Sequence, residues 1–166
     1  GSKLAKNVLS VGNVIKNDML SPGSSRGPAT DGRIKPELVS TGVNITSTTD
    51  NPDENTYTIK SGTSHATPGV TGVLAQLYQS YKLLHNDSLP NSALMKAVLL
   101  NSCDDLGNPG PDFRFGFGRV NARRSYQTIP AHRYFSGTAT QGSSESFLIQ
   151  VPSGTKQLRV MLYWHD

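Results

Sequence analysis

Between residues 64 and 84, Val70, Val73, Leu74, Leu77, Tyr78 and Tyr81 recur at spacings of three and four among polar neighbours. That spacing lays one apolar stripe along a helix and predicts a helix from Ser64 to about Leu84. Pro68 and Gly69 fall in its first turns, where backbone N–H groups lack intrahelical partners anyway. Gly72 costs about 1 kcal/mol against Ala in a helix, so its presence predicts close packing against a sheet. Residues 8–15 read as a buried strand, 20–36 as a loop rich in Gly, Ser, Pro and Asp, and 38–45 as a second strand. A shorter strand is predicted over 56–59. After Pro90, Ser92 is placed to cap a second helix over 92–103 that turns Leu94, Val98 and Leu99 inward. Strand and helix segments alternate, which predicts an α/β fold built on a parallel sheet.

The pattern changes near Thr128-Ile129-Pro130. Beyond it, 146–151 and 157–164 alternate apolar and polar residues in part, with Gly and Ser turns nearby, and read as strands. The chain therefore divides into 3–128 and 129–166, with Gly1-Ser2 reading as a vector-derived tag. Two or three strands cannot close a sandwich, and an open apolar edge is a liability. Residues 129–166 are thus expected to be the beginning of a larger β unit.

Composition sharpens this only modestly. The 166 residues are 35% hydrophobic, which suits a folded core rather than a disordered tail. The formal net charge of +4 comes from dispersed residues, which makes a solvated surface and argues against a nucleic-acid partner. The lone Cys103 has no internal disulfide partner and reads as a small buried apolar residue. No apolar run approaches the ~18 residues of a membrane span. No signal peptide is visible, and Gly1-Ser2 leaves the natural N-terminus out of view.

The candidate chemistry sits where loop meets helix. Ser64 falls at or beside the predicted N-cap, where unpaired N–H groups and the positive end of the helix dipole suit a negative oxygen. Gly62 permits close backbone approach. A lone serine in this place is most often only a cap. The surrounding chain overturns that. Gly62-Thr63-Ser64-His65-Ala66-Thr67-Pro68 resembles the nucleophile motif Gly-Thr-Ser-x-Ala-x-Pro of the subtilisin-like serine proteases, the subtilases. Asn7-Val8-Leu9-Ser10-Val11-Gly12 resembles their strand ending in Val-Gly. Ser24-Ser25-Arg26-Gly27-Pro28 and Lys35-Pro36-Glu37-Leu38-Val39 are similar to Ser-x-Arg-Gly-Pro and Lys-Pro-Asp segments. Gly42-Val43-Asn44-Ile45-Thr46-Ser47-Thr48 and Gly116-Phe117-Gly118-Arg119-Val120-Asn121-Ala122 complete the order, so the likeness covers roughly residues 3–128.

The resemblance implies the C-terminal part of a subtilase catalytic domain, an incomplete parallel sheet with helices on both faces. The tail, including Val151-Pro152-Ser153-Gly154 and the run 158–166, resembles the opening strands of the β-sandwich or jelly-roll domain that follows in many secreted members. It further implies a serine endopeptidase in which Ser64 is the nucleophile and its N–H one oxyanion donor. Gly62 and Thr63 would form the wall that holds the substrate backbone. The catalytic Asp and His and the oxyanion Asn would belong to a missing N-terminal part of the same domain, so residues 1–166 alone are expected to be inactive. The implied partners are a protein or peptide substrate and that missing part, and the implied location is secreted or periplasmic. The alternative is a non-catalytic binding or structural module that keeps the subtilase core.

This chain departs from the family pattern at Glu37, where Asp is usual, at Ser40-Thr41-Gly42, where Ala-Pro-Gly is usual, and at His65, where Met is commonest. The first two are expected to alter loop packing alone; the third sets a titratable group beside the chemistry. None of the chain's histidines replaces the missing base. His65 points about 100° away from Ser64 on a helix, and His85 lies about 30 Å along the axis. His132 and His165 belong to the later segment.

Other motifs carry less. Gly23-Ser24-Ser25-Arg26-Gly27 has the G-x-S-x-G spacing of α/β hydrolases without the strand-to-helix context. Arg114-Phe115-Gly116-Phe117-Gly118 is one position out of register with an RNA-binding aromatic strand. Gly137–Ser144 lacks the lysine of a phosphate loop. Asn44 and Asn86 open glycosylation sequons. No His, Cys or carboxylate cluster has metal-ligand spacing, so no cofactor is expected. Calcium enters only through the resemblance, and Asp166 is expected to be a solvent-facing strand end.

Overall fold

The computed structural model describes residues 4–50 and 56–165; the proposed tag at 1–2 and Asp166 lie outside them. In chain order the elements are β1 (Val11–Val14), β2 (Leu38–Thr41), β3 (Ile45–Thr48), β4 (Tyr57–Lys60), α1 (Thr63–Leu84), α2 (Ser92–Asn101) and α3 (Ala122–Thr128).

β1 and β2 pair in parallel, with Val11 opposite Leu38 and Asn13 opposite Ser40. Alternation then sorts the side chains onto two faces. Leu38 joins Val70 and Leu77 of α1, Met95 and Leu99 of α2, Cys103 and Ile129 in the main core. On the opposite face Val14 and Val39 meet Phe115, Leu20 and Leu106, which come from loops. The expected parallel α/β architecture is present. Helices on both faces are not found among the described residues, because the connection over 15–37 crosses over as a loop where a helix is more usual.

The strand predicted over 8–15 shrinks to Val11–Val14, and at its start the Val8 carbonyl is taken by lysine side chains along with those of Ala5 and Lys6. Lys35 Nζ donates to the carbonyls of Ala5 and Val8, each at 3.0 Å, and Lys96 Nζ donates to those of Lys6 and Val8 at 3.2 and 3.3 Å. The strand predicted over 38–45 breaks in two. Asn44 takes a left-handed conformation at φ 55°, and the chain re-enters as β3, which pairs antiparallel with β4.

Helix α1 starts one residue before the expected Ser64. Its buried stripe is Ala66, Val70 and Leu77. Gly72 lies outside that stripe, exposed, and a Cβ there would meet nothing within 4 Å. The close approach to the sheet occurs instead at Gly69, whose added Cβ would stand 3.5 Å from Ser40 Oγ. Gly72 lies two residues from Val70, about 200° around a 3.6-residue turn, which places it on the solvent side. In α2 the cap is Asn91 rather than Ser92, its side chain accepting from Ala93 N at 2.8 Å. The helix ends at Asn101, so Cys103 lies just beyond it, fully buried, with Sγ donating to the Leu99 carbonyl at 3.3 Å.

Residues 146–151 and 157–164 form no strand among the described residues. Leu148 is 95% exposed and Leu162 81%, and neither run finds a ladder partner, although Met161 of the second packs against the main core and Lys96 Nζ stands 4.9 Å from the Tyr163 ring. Two hydrogen bonds also tie the second run to the end of α2 and the residues just after it. Asn101 Nδ2 donates to the Arg159 carbonyl at 3.3 Å, and Arg159 donates to the Cys103 carbonyl at 2.9 Å.

Candidate functional site

The chain leaves β4 at Lys60 and turns once before α1. Gly42 and Gly62 join the two strand ends, with Gly62 N donating to the Gly42 carbonyl at 2.8 Å. Gly62 is the N-cap at φ 154° and ψ 166°, and no side chain caps the helix. That backbone region is essentially restricted to glycine. Its carbonyl accepts from His65 N at 3.0 Å and from Ala66 N at 3.3 Å.

Ser64 is therefore the second helical residue, not the cap, and its side chain is released from capping. It is exposed, and its hydroxyl makes no hydrogen bond among the described residues. The N–H groups of Thr63 and Ser64 likewise find no partner there, as the start of a helix dictates. Thr63 and Ser64 line an open cleft of about 800 Å³ together with Val8, Leu9, Val11 and Arg26. Gly62 stands behind them in the turn. The structure thus brings Gly62, Thr63 and Ser64 together at one helix end, beside the apolar wall of residues 8–11.

His65 is half-buried and folds back towards Gly62, its Cδ2 lying 4.0 Å from where a glycine Cβ would stand. His85 is at the opposite end of α1. It stacks on Tyr81 at 3.8 Å, its Nδ1 meets the Tyr81 carbonyl at 2.8 Å, and its Nε2 meets the Tyr134 hydroxyl at 2.9 Å. His132 packs edge-on to His85 at 6.0 Å, and His165 packs against Tyr163. No imidazole among them is hydrogen-bonded to Ser64.

Glu37, expected to alter loop packing alone, has a larger structural role. Glu37 is buried between two buried lysines, Lys35, which it meets at very short range, and Lys96 at 3.3 Å. Its second oxygen accepts from Ser10 N at 2.7 Å. The cluster holds residues 5–10, of which Val8, Leu9 and Ser10 line the cleft that Ser64 also lines. The Lys-Pro-Glu string was visible in the sequence; that Lys96, 59 positions on, completes it was not.

A second network ties the loop after α2 to the start of α3. Asp104 accepts from Asn121 Nδ2 at 3.0 and 3.1 Å and from Arg119 at 3.2 Å, and Arg124 stands 3.1 Å away. Partial burial opposes its charge, but these hydrogen bonds and the two guanidinium charges outweigh it and hold the carboxyl below its ordinary value. Arg119 also meets Asp18 at 2.5 Å. Phe115 is buried, so the aromatic run over 114–118 is core and turn rather than a base-stacking surface. Ser24 in the G-x-S-x-G string is buried too, its Oγ accepting from Asn13 N at 2.9 Å.

Fold and site together describe an α/β domain with a serine displayed at a glycine-capped helix start. The family model of the subtilases matches residues 2–118. The chain is 35% identical over 105 residues to an extracellular serine protease of Serratia marcescens, an alignment that covers 58% of this chain and 9% of that protein. It is 34% identical over 113 residues to the C5a peptidase of Streptococcus pyogenes, covering 64% and 10%. Among solved structures it is similar to the CspB protease of Clostridium perfringens, with a TM-score of 0.68 and 32% identity over 76% of this chain and 27% of that one.

The chain belongs to the subtilase family. It spans about a tenth of the length of the two sequence relatives.

Proposed function

We propose that the protein is a serine endopeptidase whose nucleophile is Ser64. The observation that carries this reading is the unengaged Ser64 hydroxyl beside unpaired Thr63 and Ser64 N–H groups on an open cleft. A serine hydroxyl attacks a carbonyl only when a base removes its proton. The base, its orienting carboxylate and the oxyanion Asn come from another part of the same domain, which seats against the apolar wall of Val8, Leu9 and Val11.

In the intact enzyme Ser64 Oγ bonds to the scissile carbonyl carbon while its proton passes to the imidazole. The carbonyl oxygen, now negative, is held by Ser64 N–H at the positive end of α1. The imidazole then gives its proton to the leaving amine as the C–N bond breaks, and water hydrolyses the acyl ester. Gly62 and Thr63 flank the substrate backbone. Residues 1–166 alone turn over no substrate, since one lost oxyanion donor already costs about 10²–10³ in rate and the base is lost as well. The protein is secreted or periplasmic, a reading that its likeness to the extracellular serine protease of Serratia marcescens supports, and residues 129–166 begin a β-domain whose further strands pair with 146–151 and 157–164.

A fluorophosphonate probe tests the assignment. The intact protease is expected to carry the label on Ser64, and Ser64→Ala is expected to abolish both labelling and peptide hydrolysis. Labelling at another serine, or hydrolysis surviving in the Ala variant, rejects it. An intact protein that folds, takes no label and cleaves nothing is the non-catalytic module.

A further inference from the structure

Directly beneath the Ser64 turn lies a polar side chain that the proposed chemistry does not use. Asn13, in β1, is 1% exposed, and its Oδ1 is buried without a hydrogen-bond partner. It projects from the face of the sheet that α1 covers, because it pairs with Ser40, which faces Gly69. A Cβ built on Gly42 would meet the Gly62 carbonyl at 2.6 Å, Ala66 N at 2.7 Å and Asn13 Oδ1 at 2.7 Å. These three polar atoms crowd around one point, and the absent side chain of Gly42 leaves room for the Asn13 carboxamide there. Asn13 thus reaches the cap residue and the first turn of α1, with Ser64 between them in sequence.

An orphaned buried acceptor is unfavourable and uncommon in a folded protein. An apolar residue of similar size would fill the same space without that cost. The acceptor does have an electrostatic complement, since its partial negative charge lies at the positive end of α1. We propose that Asn13 is a positioning residue for the nucleophile: its neutral carboxamide seats the Gly62–Ala66 turn and thereby aims the Ser64 hydroxyl and N–H. Neutrality matters as much as shape. A full negative charge beneath the turn would oppose the negative charge that develops on the substrate oxygen beside Ser64 N–H. This inference rests on Ser64 being the nucleophile.

The test uses Asn13→Asp and Asn13→Ala in the intact protease, with fluorophosphonate labelling of Ser64 and thermal unfolding measured alongside kinetics. Asn13→Asp keeps the shape and adds a titratable charge. Its kcat is expected to fall with rising pH as that carboxyl ionises, a limb absent from the parent profile, while KM stays unchanged. Asn13→Ala is expected to lower kcat at all pH values by about 10- to 10²-fold, the scale of a misplaced reacting group, with little change in KM. Unchanged kcat in both variants overturns the proposal. So does a loss of folded protein in both, which makes Asn13 a core residue only. If the parent is not labelled at Ser64, the nucleophile assignment itself fails; if it is labelled and the variants keep their rates, only the role of Asn13 fails.

Discussion

Gly42 and Gly62, twenty residues apart in sequence, meet through a 2.8 Å hydrogen bond that fastens the end of β2 to the start of α1. The strand end and the helix start thereby share one junction, and Ser64 stands two residues beyond it. Neither glycine tolerates a side chain. A Cβ on Gly42 would strike the Gly62 carbonyl, and Gly62 itself occupies a backbone region closed to other residues.

Gly62→Ala is expected to destabilise the protein by about 1–3 kcal/mol, the scale of one residue forced into that backbone region. Urea unfolding of variant and parent measures it. A change below about 0.5 kcal/mol, typical of a neutral surface site, would contradict the strain argument.

Glu37→Ala leaves the ammonium groups of Lys35 and Lys96 buried without their carboxylate. The expected loss is about 3–5 kcal/mol, as for a broken buried ion pair. Hydrogen exchange adds a local readout. The amide of Ser10 should lose protection first, because Glu37 is its acceptor.

Asp104 sets an acid limit. Its folded carboxyl titrates below the ordinary 3.8, so the network stabilises fully above that value and weakens as pH falls through the folded one. Unfolding free energy should therefore decline in acid. Asp104→Asn should be less stable at neutral pH and should show a shallower acid decline. Equal acid slopes for the two proteins would remove Asp104 from the account.

Cys103 should be inert to alkylation while the protein is folded. It is fully buried, and burial, reinforced by the neighbouring Asp104 charge, pushes its thiol up to about 12. Thiolate is the reactive form, so iodoacetamide at neutral pH should modify it only on unfolding. Mass spectrometry across a urea series follows the label, and rapid native-state labelling would count against this packing.

Much of the α/β arrangement was legible because burial is periodic. The apolar stripe of α1 and the inward positions of α2 follow from spacing alone, and the turn at Gly62-Thr63-Ser64 followed from motif likeness. What failed depended on partners. The strand over 8–15 shortened at its start, where two lysines, one of them far along the chain, take the Val8 carbonyl. The helix began at Thr63 because Gly62 can cap by backbone conformation alone. Residues 146–151 and 157–164 have strand-like alternation, but alternation supplies no neighbour to pair with.

By itself, the sequence determined the family and the order of the main elements, and it singled out Ser64 as the proposed nucleophile, since local spacing and short motifs encode these. The tertiary structure decided that Ser64 is free of capping duty, that Glu37 with Lys35 and the distant Lys96 holds the segment that shares its cleft, and that Asn13 lies under its turn. Those relations join residues tens of positions apart. They depend on which side chains the fold brings into one buried volume, where a charge must find its counter-charge and a polar atom its complement.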